Sequence, residues 1–181
     1  MGDAGGESGA VAGTGDDAEV RAQPVTLHGV PVSDSRGQVV LHPDRASWLR
    51  VATELFDAGY LVCVDVTAVD YLNLPDRGLP SGVEPERFEV VANLLSHADR
   101  QRIRLRVQVP EDDPVVDSLI TLFPGVDAAE REVFDLFGIR FDGHPDLTRI
   151  VLPEDWEGHP LRKDQDAGRI PVQFKAPAPS R

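Results

Sequence analysis

Two short tripeptides, Gly143-His144-Pro145 and Gly158-His159-Pro160, place a pair of imidazoles near the carboxylates of Asp142, Asp146 and Glu157. Imidazole and carboxylate together could ligate a metal ion or form a general acid/base pair. Their spacing matches neither a helical HExxH pattern nor a facial triad, and no nucleophile motif accompanies them. A second reading needs no chemistry at all. A residue before proline is pushed toward extended backbone, and the glycine ahead of it permits a sharp reversal, so each tripeptide is also a chain corner. Between the corners lie Arg149, Pro153, Glu154, Asp155 and Trp156, and beyond them Arg162 and Lys163. A long nonperiodic stretch dense in aromatic and charged side chains has the composition of a wrapping interface.

The segment ahead of the corners supplies the other candidates. Over Asp127 to Phe137, advancing about 100° per residue gathers Ala129, Val133, Phe134, Leu136 and Phe137 on one arc of a helix. Arg131, Glu132 and Asp135 fall on the opposite arc, with Arg131 and Asp135 spaced to pair along the surface. Glu130 lies within the apolar arc. An acid there is paired, complements the helix N-terminus, or faces something outside the chain.

The elements that would position these residues can be read from pattern. Val25 to Val32 and Gln38 to Leu41 predict short strands around a Ser33 to Gly37 turn. Trp48, Val51, Ala52, Leu55 and Phe56 recur at helical spacing between Asp44 and Ala58, with Gly59 placed to end the helix. Tyr60 to Val69, Phe88 to Leu95 and Ile103 to Val109 predict strands, the last two forming an antiparallel hairpin. The loop over residues 75 to 86 holds three prolines and two glycines. On the final strand Arg102, Arg104, Arg106 and Gln108 alternate with apolar residues, which predicts a solvated row. Pro114 to Leu122 is expected to be a short helix. The order predicts an α+β fold, two layers with helices on a mainly antiparallel, mixed sheet, followed by an extended C-terminal ribbon. The expected division is a disordered acidic Gly/Ala-rich tail over 1–24, an α+β domain over 25–137, and a docking segment and tail over 138–181.

Composition narrows the classes of function. The 181 residues carry 31 acids against 18 bases, a formal net charge of −13, which repels nucleic-acid backbones and anionic lipid surfaces. No stretch reaches the roughly 18 to 20 apolar residues of a bilayer span. The N-terminus bears Asp3, Glu7, Asp16, Asp17 and Glu19 before its first base, Arg21, unlike the basic start of secretory and transit signals. Cys63 is the sole cysteine. It excludes an intrachain disulfide and a thiolate-built iron–sulfur or zinc site, and its valine surroundings suit an inert thiol.

The run Glu130 to Ile139, followed by Gly143 to Leu147, Arg149-Ile150 and Pro153 to Asp164, strongly resembles the C-type peripheral-arm family of proton-pumping NADH-quinone oxidoreductase, respiratory complex I. Leu61 to Tyr71, Arg87 to Val91 and Leu122 to Gly125 are also similar to that family, so the resemblance covers about residues 40 to 165. It implies a subunit of the peripheral arm, at the cytoplasmic side of a bacterial membrane and held there through partners. It implies a D-type partner near the quinone site and no flavin or iron–sulfur centre on this chain; the unmatched ligand spacing separately argues against a metal. Under that resemblance the partner-binding residues would be Glu130, Arg131, Glu132, Asp135, His144, Asp146, Arg149, Glu154, Asp155, Trp156, His159, Arg162 and Lys163. A related membrane-bound hydrogenase, or a quinone-reducing dehydrogenase with another donor, is the alternative host.

Overall fold

A computed structural model describes residues 26–165; the expected tail over 1–24 lies outside them. In chain order the elements are β1 (Thr26–Leu27), β2 (Val30–Ser35), β3 (Gln38–Leu41), α1 (Arg45–Asp57), β4 (Val62–Asp70), β5 (Phe88–Ser96), β6 (Gln101–Val109), β7 (Val115–Asp117), α2 (Asp127–Phe137) and β8 (Arg140–Asp142). Six strands form one sheet in the order β1-β2-β3-β6-β5-β4, antiparallel except where β3 runs parallel to β6, and β7 pairs with β8 in a small parallel sheet. This is the mixed, mainly antiparallel α+β fold that the pattern predicts.

Strand alternation fixes which face is buried. Ile103, Leu105, Val107 and Val109 stand opposite Leu94, Ala92, Val90 and Phe88 in register, and all eight are buried. Because side chains alternate with period two, this register sends these eight residues to the side that α1 covers and leaves Val91 and Leu95 on the other face with the arginines. Helix α1 begins where the Asp44 carboxylate accepts the Ser47 N–H at 2.8 Å, capping one of the unpaired amides of its first turn. Its Trp48 is fully buried and donates its indole N–H to the Asp117 carbonyl at 3.1 Å, which fastens the helix to β7.

Four expectations change. The predicted strand Val25 to Val32 breaks at His28-Gly29, where both residues have positive φ, and the next turn tightens to Arg36-Gly37. Pro114 to Leu122 is not a helix: the β-branched Val115 and Val116 join β7, because β8 offers them parallel ladder partners. The core also continues past residue 137, since Ile139 and Phe141 are buried in it and the ribbon departs only after Asp142. Finally, the arginine row on β6 is not uniformly solvated. Arg104 donates to Asn93 Oδ1 at 3.0 Å, and Arg106 donates to Glu89 Oε1 at 2.7 Å. Glu89 is 1% exposed. The Pro/Gly loop folds across this face, stacking the Arg77 guanidinium 3.8 Å from the Tyr71 ring centre and bringing it to Gln108. A desolvated carboxylate requires such partners.

Trp48 links the helix, the large sheet and the small one. Trp48→Ala is expected to lower unfolding free energy by about 3 to 5 kcal/mol, read by urea denaturation; a loss below about 1 kcal/mol would show that the helix is not keyed by this ring.

Candidate docking site

The C-terminal end of a helix leaves its last carbonyls without intrahelical donors. In α2 the chain itself caps one of them: Gly138 adopts φ 73° and its N–H reaches the Phe134 carbonyl at 2.9 Å. Glycine is required there twice over. Its left-handed backbone disfavours a side chain, and a Cβ would fall 2.7 Å from the His159 ring.

The next three carbonyls are capped by the ribbon. His159 donates from Nδ1 to the Asp135 carbonyl at 2.9 Å, the Leu161 N–H donates to Leu136 at 3.0 Å, and Arg162 Nε donates to Phe137 at 2.7 Å. Burial, with help from the nearby Arg162 and Arg149, lowers the His159 pKa although the bond to the Asp135 carbonyl opposes the shift, and Nδ1 carries its proton in either charge state.

The Asp135 side chain adds a second set of bonds. One carboxylate oxygen accepts the backbone N–H groups of Ile150 at 3.1 Å, Val151 at 2.8 Å and Leu152 at 2.9 Å. The other takes Arg149 Nη1 at 2.5 Å, while Arg149 Nη2 reaches the Gly158 carbonyl at 3.2 Å. Asp135 is fully buried. Burial by itself would raise its pKa, but the three amides and the guanidinium outweigh that and hold the carboxyl below its usual range. Asp135 thus anchors residues 149–152 of the ribbon to the helix.

A second clamp holds the ribbon's far end against the sheet. Asp70, at the end of β4, accepts the Lys163 N–H at 2.8 Å and Arg87 Nη2 at 2.9 Å, and Arg87 also pairs with Asp164 at 2.8 Å and with Glu111. Bonds from Asp164 and Asp70 raise the Arg87 pKa. Near the ribbon's start, Arg131 donates to the Thr148 hydroxyl at 2.9 Å. Its acidic neighbour on the helix is Asp127 at 3.9 Å, and the expected Arg131–Asp135 pair does not form because Asp135 turns inward.

Glu130 and Asp135, expected at a partner, spend their side chains internally. Glu130 is fully buried and accepts the Ser118 hydroxyl at 2.5 Å and the Leu119 N–H at 2.7 Å, fixing the turn after β7. Burial raises its pKa despite these bonds. His144 likewise has a buried side chain: Nδ1 accepts the Asp146 N–H at 3.2 Å, and Nε2 lies 3.3 Å from Asp127 without a well-aligned hydrogen bond. The two histidines therefore serve different contacts, and among the described residues no group of three His, Cys, Asp or Glu side chains gathers as a metal site would need. Trp156 is half-buried. Glu132, Asp146, Glu154, Asp155 and Lys163 are exposed, beside Ile150 at 45%, Val151 at 56% and Leu161 at 45% exposure. Glu132 and Leu161 line a groove of about 230 Å³ between α2 and β4.

Sequence reasoning missed Asp70, Ser118 and Gly138 as positioning residues. Gly138 carried a usable signal, an ending glycine directly after an apolar helix. Asp70 carried none, because its partners lie far along the chain.

Asp135→Ala strips acceptors from three amides and a counter-charge from Arg149, and is expected to cost about 3 kcal/mol at neutral pH. Since the folded carboxyl titrates below the unfolded value of about 3.9, the contribution is present above that pH and lost as pH falls through the folded value. Denaturation of parent and variant should therefore converge in acid; a gap constant from neutral pH to about pH 2 contradicts this assignment.

Comparison with known proteins agrees with this architecture and with the resemblance in the sequence. Residues 41–170 match the family model described as respiratory-chain NADH dehydrogenase, 30 Kd subunit. The chain is 49% identical over 148 residues to the C-type NADH-quinone oxidoreductase subunit of Roseiflexus castenholzii, a match covering 78% of each. It is 43% identical over 148 residues to the corresponding NADH-quinone oxidoreductase subunit of Saccharopolyspora erythraea, covering 80% of this chain and 55% of that one. The chain thus spans little more than half the length of several curated relatives it matches. A solved structure titled as the Nqo5 trypsin-resistant fragment (1-134) superposes with TM-score 0.59 at 36% identity, over 66% of this chain and 90% of that one. An archaeal membrane-bound sulfane sulfur reductase complex holds a chain of the same fold, TM-score 0.63 at 20% identity, over 76% of this chain and 78% of that one. The protein belongs to the 30 kDa subunit family of respiratory-chain NADH dehydrogenase.

Proposed function

We propose that this chain is a non-catalytic assembly subunit of an NADH-quinone oxidoreductase, the complex that passes electrons from NADH through FMN and iron–sulfur centres to quinone and couples this to proton translocation. In this reading it has no active site of its own. The ribbon over residues 143–164 docks onto a D-type partner beside the quinone site, with other peripheral-arm subunits close by. The observation that carries the proposal is the ribbon's two-sidedness. Its inward groups are committed to α2 and to the Asp70–Arg87 clamp, whereas Ile150, Val151 and Leu161 stand exposed on it.

Exposed apolar side chains interspersed along the ribbon with Asp146, Glu154, Asp155 and Lys163, and with Glu132 sharing a groove with Leu161, have the mixed make-up of a protein interface. Arg131, Asp135, Arg149, His159 and Arg162 are positioning residues that give the ribbon its shape before a partner arrives, and Glu130 and His144 brace the helix behind it. Trp156 supplies the large aromatic anchor that interfaces favour.

FMN, iron–sulfur clusters and quinone belong to partner subunits in this proposal. Burial pushes the one thiol, Cys63, up to about 11, so it is a poor thiolate ligand at neutral pH. Among the described residues no helix is long and apolar enough to cross a membrane. Peripheral attachment through partners fits that observation, and the cytoplasmic side is part of the same proposal.

The alternative host is a related membrane-bound hydrogenase or a quinone-reducing dehydrogenase with another donor. The 20% identical sulfane sulfur reductase neighbour supports a shared fold only. Identity of 43 to 49% to subunits named for NADH-quinone oxidoreductase favours the first host, and the adjacent genes discriminate between them.

Val151→Asp combined with Leu161→Asp changes exposed positions only. It is expected to shift the stability of the isolated chain by no more than about 0.5 kcal/mol per site and to abolish co-purification with the D-type partner. Retained co-purification would count against the ribbon as the docking element.

A further inference from the structure

Most arginines of the described residues have a side-chain partner, as Arg45 has Asp113, Arg50 has Glu54, Arg104 has Asn93 and Arg131 has Thr148. Arg36, Arg100, Arg102 and Arg140 are the exceptions, making no side-chain hydrogen bond or ion pair among those residues. Three of these four meet. Arg36, in the β2–β3 turn, and Arg100 and Arg102, at the start of β6, line one groove of about 630 Å³ with Leu27, Tyr60 and Ile103. Parallel pairing of β3 with β6 brings the two turns to the same end of the sheet. Among the described residues the nearby acids form no ion pair with them: Asp34 accepts the Gly37 N–H at 3.0 Å, and Asp99 accepts the Ser96 hydroxyl at 2.8 Å.

Two of the arginines also occupy unfavourable backbone. Arg36 has φ 58° and Arg100 φ 54°, a region where asparagine or glycine is the lower-energy choice. Local folding therefore does not account for arginine at either position.

We propose that this groove is the docking site of the chain's own acidic N-terminal segment, with Asp16, Asp17 and Glu19 against Arg36, Arg100 and Arg102. Complementary charge is the first support. Residues 1–20 hold five carboxylates and no Lys or Arg, whereas the groove's guanidiniums have no side-chain partner among the described residues. Reach is the second. Leu27 of β1 lines the groove itself, and the eight residues back to Glu19 extend at most about 29 Å. The whole chain carries −13, so an acidic partner approaching from solution is repelled at long range. A segment tethered beside the groove escapes that penalty through its high effective concentration. Docked there, it would screen the basic patch from other anions.

The test uses the full chain with Cys63→Ala and Thr14→Cys, spin-labelled at position 14, and reads amide peak intensities by NMR. At low salt the amides of Gly37, Gln101 and Ile103 should lose most of their intensity, recovering near 0.5 M salt as the Debye length falls to about 4 Å. Arg36→Asn with Arg100→Asn should restore that intensity at low salt. Asparagine tolerates positive φ, so this variant should melt no lower than its parent, which removes unfolding as an explanation. Sharp groove amides at low salt, broadening spread evenly over the surface, or broadening unchanged in the double variant would each overturn the proposal.

Discussion

The carboxyl-terminal end of α2 must have donors brought to it, and much of the structure around the ribbon follows from that requirement. An unpaired buried carbonyl or carboxylate costs as much as a lost hydrogen bond or more. Here the Asp135, Leu136 and Phe137 carbonyls and the Asp135 carboxylate are satisfied by residues 149–162. A segment with no helix or strand of its own gains a defined path, because its amides are the partners that the helix lacks. The helix end and the ribbon are therefore one unit, and damage to either exposes polar groups on the other.

The sheet supplies the second fixed point. Asp70 and Arg87 face each other across the β4–β5 pair, both nearly inaccessible as side chains, and bind the ribbon at Lys163 and Asp164. Buried ion pairs add little net stability over apolar packing, yet they are costly to break and specific in geometry. That combination suits a clamp that sets position. Glu130 serves similarly on the other side of α2, where its carboxylate holds the turn that follows β7. Carboxylates at 130 and 135 thus orient one helix toward two neighbours.

Local patterns were legible in the sequence; distant partnerships were not. The limits of α2 followed from periodicity, and the hairpin from alternation, since both signals are carried by adjacent residues. Pro114 to Leu122 misled because apolar spacing over so short a run fits helix and strand alike, and only β8, more than twenty residues on, settles it. The arginines of β6 looked solvated because the covering loop has no periodic signature. For the site, the Gly-His-Pro corners were visible as corners. Sequence alone could not separate the residues that would face a partner from those, such as Glu130 and Asp135, that are consumed inside.

The central claim is that the ribbon has its shape before any partner binds, imposed by Asp135. Amide hydrogen exchange in the isolated full chain tests it most directly at Ile150, Val151 and Leu152. Protection approaching that of the α2 backbone is the predicted result. Exchange at the rate of an open chain, with protection arising only in the assembled complex, would show that the partner shapes the ribbon and would contradict the account.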